Sequence, residues 1–338
     1  MAIYPFLEDF ILFLKGEKNE ILFSDNFVAL RTENGEILRK YSDIYAYYLS
    51  VKWMIKSPRY KKEDSHYLLF YKVKGIEYIS KIKVDSNLKI ISILIEKYDR
   101  EKMKVVLLIS YDGSAYFGMQ KQNNNPTIQG AIEEALSNML KRKVPITISS
   151  RTDRGVHALG QVVEFLSYGI SAKSYKYALN YLLKEDIRVL KAYNRSQVFN
   201  CRYDTVKKEY LYIVDTGKYD IFRNNYCYFH KIDDIEAIKE ELKSLVGTHD
   251  FKAFCKGEKD NTVRTIYEAK VKKSGSKYIF TFKGDGFLHN MIRFIVGALI
   301  EIDEKKMESI KEIIDSKNKR LTYKIAPAGG LYLKKIDY

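Results

Sequence analysis

The segment Arg151-Thr152-Asp153-Arg154-Gly155-Val156-His157-Ala158 carries the densest group of residues able to do chemistry. Asp153 lies between two arginines, whose positive charges favour the ionised form of a carboxylate. Gly155 allows the chain to make an unusual turn at this point. From these residues alone two interpretations are open: Asp153 acts as a nucleophile or base, or it only hydrogen-bonds its own turn, as in an isolated T-D-x-G.

Strand and helix patterns surround this segment. Ile146–Ser150 and Gly160–Phe165 predict strands on either side of a loop that contains Asp153. The other predicted elements are strands at Lys104–Ser110, Glu209–Val214, Thr265–Lys272 and Lys277–Lys283, and helices at Thr127–Lys141, Ile232–Leu245 and Met291–Glu301. Two α/β units of similar plan are therefore expected, with a cleft between them.

The first hundred residues have a different pattern. Residues 21–84 are strand-rich, with the turn signal Asn34-Gly35 and a hairpin break near Gly75. Leu88–Tyr98 repeats apolar residues at helical spacing, and a domain boundary is expected near residue 102. Strands followed by a terminal helix would suit a small PH-like barrel, which serves either as an accessory RNA-binding unit or as an interaction module.

The charge of the chain indicates its partner. The formal net charge of +15 predicts attraction to polyanions, above all to nucleic acid. The basic clusters Lys141-Arg142-Lys143 and Lys207-Lys208 either contact phosphates or form ordinary solvated faces.

The composition indicates a globular protein that does not depend on disulfides for its stability and does not span a membrane. Of the 338 residues, 46% are hydrophobic and 30% are charged. Cys201, Cys227 and Cys255 form no C-x-x-C pair and are expected to be reduced, buried thiols without a metal. No apolar stretch has the roughly 18–20 residues of a membrane span, so a cytoplasmic protein is expected.

The signature around Asp153 resembles the R-T-D-x-G-V-H-A signature of the TruA family of tRNA pseudouridine synthases. Further matches follow in unbroken order over about residues 103–338. They are Y-D-G-S at 111–114, Y-F-G-M-Q at 116–120, T-I-Q-G at 127–130, G-Q-V-V at 160–163, F-N-C-R-Y at 199–203, K-K-E-Y-L-Y at 207–212, V-G-T-H-D-F at 246–251, V-R-T-I at 263–266, G-F-L-H-N-M-I-R at 286–293 and A-P-A-G-G-L-Y-L at 326–333. The resemblance is specific, and it favours a chemical role for Asp153.

The resemblance implies roles for five residues. The family's catalytic aspartate falls on Asp153, and the arginine that helps to take the uridine out of the base stack falls on Arg151. The tyrosine that packs on the target base falls on Tyr210. The arginine that pairs with the catalytic aspartate falls on Arg293, and Leu331 would add an apolar wall to the pocket.

The implied reaction breaks a C–N glycosidic bond, turns the uracil and forms a C–C bond without a net change in composition. Neither a metal nor a small-molecule cofactor is needed for it. Asp153 would either add covalently to the base or sugar, or remove a sugar proton to give a glycal, and the sequence favours neither route. Extrusion of the base costs a few kcal/mol, which stacking on an aromatic ring, about 1–3 kcal/mol per base, partly offsets.

Several positions qualify the resemblance. Met119 stands where the family usually has tryptophan, a difference that is expected to change only how a loop packs. Arg154 replaces a common alanine and either touches RNA or reaches solvent. Asn290 stands where a second histidine is often found, so no proton-transfer role is assigned to His289. His157 is interpreted as a hydrogen-bonding scaffold residue, outside the catalytic set.

The predicted architecture is an α/β (α+β) fold of two ferredoxin/RRM-like halves, residues 103–200 and 201–338, preceded by a separate strand-rich domain, residues 1–102. The two halves form a mixed, largely antiparallel sheet with a central catalytic cleft. The resemblance further implies a homodimer that acts on tRNA at uridines 38–40 of the anticodon stem-loop. The alternatives are a non-catalytic RNA-binding protein or RNA chaperone on the same fold, and an N-glycosidase that would release the base.

Overall fold

Residues 29–31, 37–38, 55–63, 66–73, 76–84, 90–99, 101–257, 260–307, 309–316 and 324–338 are described by the computed structural model. Their contacts form two compact units. Unit 1 contains the described residues up to Lys104, with Ser167–Gly169 and Arg195–Phe199. Unit 2 contains Val105–Leu166, Ile170–Asn194 and the described residues from Asn200 onwards. The predicted turn Asn34-Gly35 lies outside the described residues.

Unit 1 is built on a sheet of six strands within the described part of the chain. They are β1 (Ala29–Arg31), β2 (Ile37–Leu38), β3 (Ile55–Glu63), β4 (His66–Val73), β5 (Ile76–Val84) and β6 (Ile90–Lys97). Their order is β2-β1-β6-β5-β4-β3, and neighbours run antiparallel except for the parallel pair β1 and β6. The strand-rich character predicted for this region is confirmed, as is the hairpin, formed by β4 and β5.

Strand β6 corrects the helix that was predicted over Leu88–Tyr98, which is wrong. The apolar residues of this segment fit helical spacing, but its isoleucines are β-branched and favour extended backbone. Ile93 and Ile95 are buried at a spacing of two residues, and Ile93 lies opposite the buried Ile82 of β5. Pairing with β5 therefore decided the structure of this segment, and the PH-like interpretation loses the terminal helix on which it rested.

Unit 1 also holds the short segment Arg195–Phe199, which comes from the middle of the sequence. Val198 is 2% exposed and belongs to a hydrophobic cluster of this unit. The ammonium of Lys81 donates to the Val198 carbonyl over 2.9 Å, and the Gln197 amide donates to the Lys97 carbonyl over 2.8 Å. The segment is thus held by both apolar contacts and hydrogen bonds.

Unit 2 contains the remaining strands and the helices found among the described residues. The strands are β7 (Lys102–Tyr111, which starts in unit 1), β8 (Thr147–Ile148), β9 (His157–Tyr168), β10 (Ile187–Arg195), β11 (Lys207–Asp215), β12 (Tyr228–Phe229), β13 (Gly247–Asp250), β14 (Val263–Ser274), β15 (Lys277–Gly284) and β16 (Leu331–Asp337). The helices are α1 (Ile128–Leu140), α2 (Ala172–Leu182), α3 (Ile235–Lys243), α4 (Met291–Asp303) and α5 (Ile310–Ser316). Single 3-10 turns occur at Lys252–Phe254 and Ala328–Gly330. The strands and helices predicted for residues 103–338 are found at these positions.

The strands of unit 2 form one large mixed sheet of order β10-β7-β9-β16-β11-β15-β14-β13, with β8 paired to β9 and β12 to β11. β11 pairs antiparallel with β15 and β16, and β14 pairs antiparallel with β13 and β15. Parallel pairs join β16 to β9 and β12 to β11. The predicted α/β class with a mixed, largely antiparallel sheet is confirmed.

Strand β16 lies between β9 and β11 in this sheet, beside the segment that follows Asp153. β16 pairs with β9 through Tyr332 opposite His157, and with β11 on its other edge.

In the described parts of the chain, no helix is both long enough and apolar enough to cross a membrane.

Candidate active site

The Asp153 loop connects β8 to β9, and buried polar side chains fix the residues just before the aspartate. The Gln161 amide, fully buried on β9, donates to the Ser150 carbonyl over 2.7 Å and accepts from the Ser150 amide over 3.3 Å. The hydroxyls of Thr152 and Tyr111 lie 2.8 Å apart. The backbone therefore reaches Asp153 in a defined direction.

The loop that contains Gly118 and Met119 packs against the backbone of the Asp153 loop. The Met119 amide donates to the Thr152 carbonyl over 3.1 Å, and Gly118 adopts a φ of 94°. A Cβ at Gly118 would lie 2.7 Å from the Thr152 carbonyl oxygen, so the close approach requires glycine. Met119 is fully buried, consistent with a loop-packing role. Gly155 completes the turn after Asp153 with a φ of 78°.

The Asp153 carboxylate is 26% exposed and faces two nitrogen groups. His289 Nε2 lies 3.3 Å from Oδ1, and Arg293 Nη1 lies 3.8 Å from Oδ2. The guanidinium donates from Nε to the Ala326 carbonyl over 2.8 Å and from Nη1 to Asn290 Oδ1 over 2.9 Å. Burial lowers the pKa of Arg293, and the charge of Asp153 opposes that shift. Arg293 remains a fixed cation beside the carboxylate.

His289 and Arg293 both reach Asp153 from the start of α4. They are four residues apart, with His289 in the turn just before α4 and Arg293 in its first turn. Between them Asn290 is 8% exposed and adopts a left-handed backbone with a φ of 60°, which asparagine tolerates better than most residues. The resemblance had led to no chemical role for His289, and no local signal in the sequence indicated its contact with Asp153.

Tyr210 on β11 is linked to the Asp153 loop through Ser150. The Tyr210 hydroxyl lies 2.9 Å from Ser150 Oγ, and the side chain is 6% exposed. Its ring meets that of Phe287 edge to face, with centroids 5.2 Å apart. Burial raises the pKa of Tyr210 above its usual value, so the hydroxyl stays protonated.

Lys208, two residues before Tyr210, points inward rather than to solvent. Its ammonium donates to the Ser149 carbonyl over 3.1 Å and to Ser150 Oγ over 3.3 Å. Burial lowers the pKa of Lys208 to about 8. Lys207 pairs with Asp337 at 3.3 Å. Lys208 therefore supports the loop that leads to Asp153, whereas Lys207 stays partly exposed in its ion pair.

Among the described residues, Arg151 and Leu331 form no ion pair or hydrogen bond with the Asp153 side chain. Arg151 is exposed and forms no ion pair with the described residues. Leu331 is 6% exposed at the start of β16, opposite Tyr212 of β11. The Arg154 guanidinium lies over the Phe117 ring, 4.1 Å from its centroid, a cation–π contact that sequence reasoning missed.

His157 is 2% exposed and makes several polar contacts. Its Nδ1 lies 3.1 Å from Asp112 Oδ1, and its Nε2 lies 2.8 Å from the Asn225 carbonyl oxygen. The ring stacks on Tyr332 with centroids 4.7 Å apart. These contacts tie β9 to neighbouring loops and agree with a scaffold role.

The described residues hold neither a disulfide nor a cluster of metal ligands. Cys201, Cys227 and Cys255 are buried and form no disulfide with one another. Among the residues that the structure describes, no group of three or more His, Cys, Asp or Glu side chains is arranged to hold a metal ion. The chemistry that the arrangement around Asp153 offers is that of a carboxylate partly open to solvent, a group able to act as a nucleophile or a base.

Comparison with known proteins shows the family to which the chain belongs. A family model described as tRNA pseudouridine synthase matches residues 107–204 and 242–338. Proteins named tRNA pseudouridine synthase A are 42% identical in Anoxybacillus flavithermus, 40% in Bacillus licheniformis and 39% in Borrelia turicatae. Each match covers 70% of this chain, and 98%, 99% and 99% of the respective relative. The predicted isomerase class is confirmed: the chain belongs to the tRNA pseudouridine synthase family.

Proposed function

We propose that this chain converts uridine to pseudouridine in tRNA with Asp153 as its catalytic carboxylate. The observation that carries the proposal is the placement of Asp153 Oδ2 3.8 Å from the anchored guanidinium of Arg293. A fixed cation stands beside the carboxylate without engaging it in a short hydrogen bond. The carboxylate is thereby available for either of the two routes, covalent addition or glycal formation.

The other site residues receive roles that fit their burial. Arg151 is exposed and free to enter the base stack of an RNA helix as the uridine leaves. Tyr210, fixed by Ser150, offers a ring for packing against the extruded base. Leu331 contributes apolar surface to a cleft that must retain the free uracil until it recombines.

Substrate position and assembly follow from the same proposal. The targets are uridines 38–40 of the anticodon stem-loop, the enzyme acts as a cytoplasmic homodimer, and the net charge of +15 supports attraction to tRNA. The domain limits proposed are 1–102 for the accessory region, and 103–200 and 201–338 for the two halves of the synthase.

Position-resolved mapping of pseudouridine in tRNA tests the function. Wild type is compared with Asp153→Asn, which preserves side-chain shape, and with Asp315→Asn, an exposed aspartate on α5. We expect wild type and Asp315→Asn to modify the anticodon stem-loop, and Asp153→Asn to bind tRNA without forming product. Pseudouridine formation by a folded Asp153→Asn protein would overturn the catalytic assignment.

The same assay separates the alternatives. An RNA chaperone would bind tRNA and leave all uridines unchanged in wild type. An N-glycosidase would release free uracil, which chromatography of the reaction mixture detects. Product confined to positions outside 38–40 would overturn the proposed target while leaving the reaction intact.

A further inference from the structure

His289 is placed to exchange a proton with Asp153. We propose that His289 is a proton-relay residue, which carries the proton released from C5 of the turned uracil away from Asp153 to solvent. This inference rests on the proposed function and adds a residue to its mechanism.

The geometry distinguishes His289 from the other neighbour of the carboxylate. Its Nε2 lies 3.3 Å from Asp153 Oδ1, half an ångström closer than Arg293 Nη1 is to Oδ2. An arginine in a protein does not give up its proton, whereas an imidazole both accepts and donates one near neutral pH. Of the two groups, only His289 can transfer a proton.

The His289 side chain is also exposed enough to pass a proton on to water. The His289 side chain is 49% exposed, while the Arg293 side chain is 18% exposed. One ring nitrogen of His289 therefore faces the carboxylate while the ring retains access to water. A residue with both contacts connects a partly enclosed acid to bulk solvent.

The backbone around His289 fixes the position of its ring. The Lys256 amide donates to the His289 carbonyl over 3.1 Å. Leu288 before it and Asn290 after it are 5% and 8% exposed. Because both neighbours are buried, the imidazole is presented from a restrained segment at the start of α4.

The reaction requires such a transfer in either route. When the C1′–C5 bond has formed, C5 carries both the ribose carbon and its original hydrogen. The C5–H bond then breaks and its electron pair forms the C5–C6 double bond, while the π pair of the C6–N1 double bond moves onto N1. The proton from C5 passes to the Asp153 carboxylate. Asp153 passes that proton to His289 Nε2, Nδ1 gives a proton to water, and N1 of the uracil receives a proton from solvent. Atoms and charge balance, and no oxidant or reductant is needed.

Variants of His289 test the relay against a purely positioning role. His289→Gln retains an amide donor toward Asp153 but cannot relay a proton, and His289→Ala removes both functions. Using tRNA with ordinary or C5-deuterated uridine, we expect kcat of His289→Gln to fall about 100-fold, the lower end for a positioned acid–base group. KM should change little, and the deuterium isotope effect should exceed that of wild type because departure of the C5-derived proton or deuteron from Asp153 becomes slow. Added imidazole should restore turnover to His289→Ala.

His230→Gln is the matched control. His230 Nε2 lies 3.3 Å from Glu304 Oε1, so it forms a histidine–carboxylate pair of the same length outside the site. This variant should show wild-type kcat and isotope effect, without a response to imidazole.

The outcomes separate this inference from the function on which it rests. Wild-type turnover and isotope effect in His289→Gln would show that a hydrogen bond suffices, and would overturn the relay alone. Failure of imidazole to restore a folded, impaired His289→Ala would also overturn it. If wild type forms no pseudouridine, the proposed function fails and the relay fails with it.

Discussion

Asn290 holds the guanidinium of Arg293 through a hydrogen bond of 2.9 Å from Nη1 to Asn290 Oδ1. The same nitrogen lies 3.8 Å from Asp153 Oδ2. Arg293 is therefore held by Asn290 at the start of its helix and by the Ala326 carbonyl. It is not held by a hydrogen bond to the Asp153 carboxylate. The positive charge of Arg293 acts on Asp153 over 3.8 Å without a short hydrogen bond, so the carboxylate oxygens remain available to react.

The first prediction tests this anchor with two substitutions at Asn290. Asn290→Gly and Asn290→Ala both remove the oxygen that holds Arg293, so both should lower the rate of pseudouridine formation. Only alanine must place a Cβ in the left-handed region, at a cost of about 1–2 kcal/mol. Urea denaturation should therefore find Asn290→Ala less stable than Asn290→Gly by about that amount. Full activity in Asn290→Gly would show that Arg293 needs no anchor from Asn290.

A second prediction concerns the close approach at Gly118. Gly118→Ala forces a Cβ to within 2.7 Å of the Thr152 carbonyl oxygen and should displace Asp153. Gly169→Ala is the control, since Gly169 also has a positive φ, 71°, but nothing lies within 4 Å of an added Cβ. Both variants should lose about 1–2 kcal/mol from backbone strain. Only Gly118→Ala should lose further stability and most of its activity, as thermal denaturation and product assays would measure.

The third prediction uses the buried ammonium of Lys208, whose pKa falls from 10.5 to about 8 on burial. Between these values the unfolded chain binds more protons than the folded one, so this group makes the protein more stable as pH rises. From pH about 7.5 to 9.5, the free energy of unfolding of wild type should rise by about 2 kcal/mol relative to Lys208→Met.

Lys207→Met is the matched control for that measurement. Lys207 is 39% exposed and pairs with Asp337, so its removal should leave the rise with pH in place. Buried tyrosines such as Tyr210 oppose the rise at the alkaline end, because the unfolded chain ionises them first, but this contribution cancels between wild type and variant. Parallel curves for wild type and Lys208→Met would contradict the prediction.

The fourth prediction separates the ring of Tyr210 from its hydroxyl. Tyr210→Phe keeps the ring and loses the bond to Ser150, which should cost about 0.5–1.5 kcal/mol of stability and leave binding of the base largely intact. Tyr210→Ala should also lose about 1–3 kcal/mol of stacking with the target base. Affinity for tRNA measured with both variants on an Asp153→Asn background gives the difference. Equal affinities would argue against a base platform at this position.

The fifth prediction concerns the fragment 103–338, which retains the whole arrangement around Asp153. We expect it to fold and to form pseudouridine, but to unfold more readily than the full chain. The reason is that Gln197 and Val198 belong to unit 1 and lose their partners there. Gln197→Ala in the full chain should reproduce part of this loss, since hydrogen bonds contribute about 0.5–1.5 kcal/mol each.

The salt dependence of the same fragment tests the accessory role of residues 1–102. If this region contacts phosphates, the full chain should lose tRNA affinity more steeply with salt than the fragment does. Identical slopes and affinities would favour an interaction or stabilising module, and an insoluble fragment would contradict the proposed boundary.

The sequence by itself predicted most of unit 2 because its signals are local. Alternating apolar residues defined the strands around Asp153, and Thr127 caps α1 where the helical pattern begins, accepting from the Gly130 amide over 3.2 Å. The R-T-D-R-G-V-H-A motif and the ordered matches after it indicated the family and the reaction. These features depend on spacing along the chain, which a sequence displays directly.

Tertiary structure decided the features that depend on partners distant in sequence. Leu88–Tyr98 fits helical spacing, yet β6 forms because β5 lies beside it and buries Ile93. Lys208 resembles a solvated cation in sequence, but it lies two residues before Tyr210 on the same face of β11, and burial beside Ser150 desolvates its ammonium. His289 faces Asp153 only because α4 starts beside a loop that precedes it by more than 130 residues, and no local pattern encodes a contact between such distant segments.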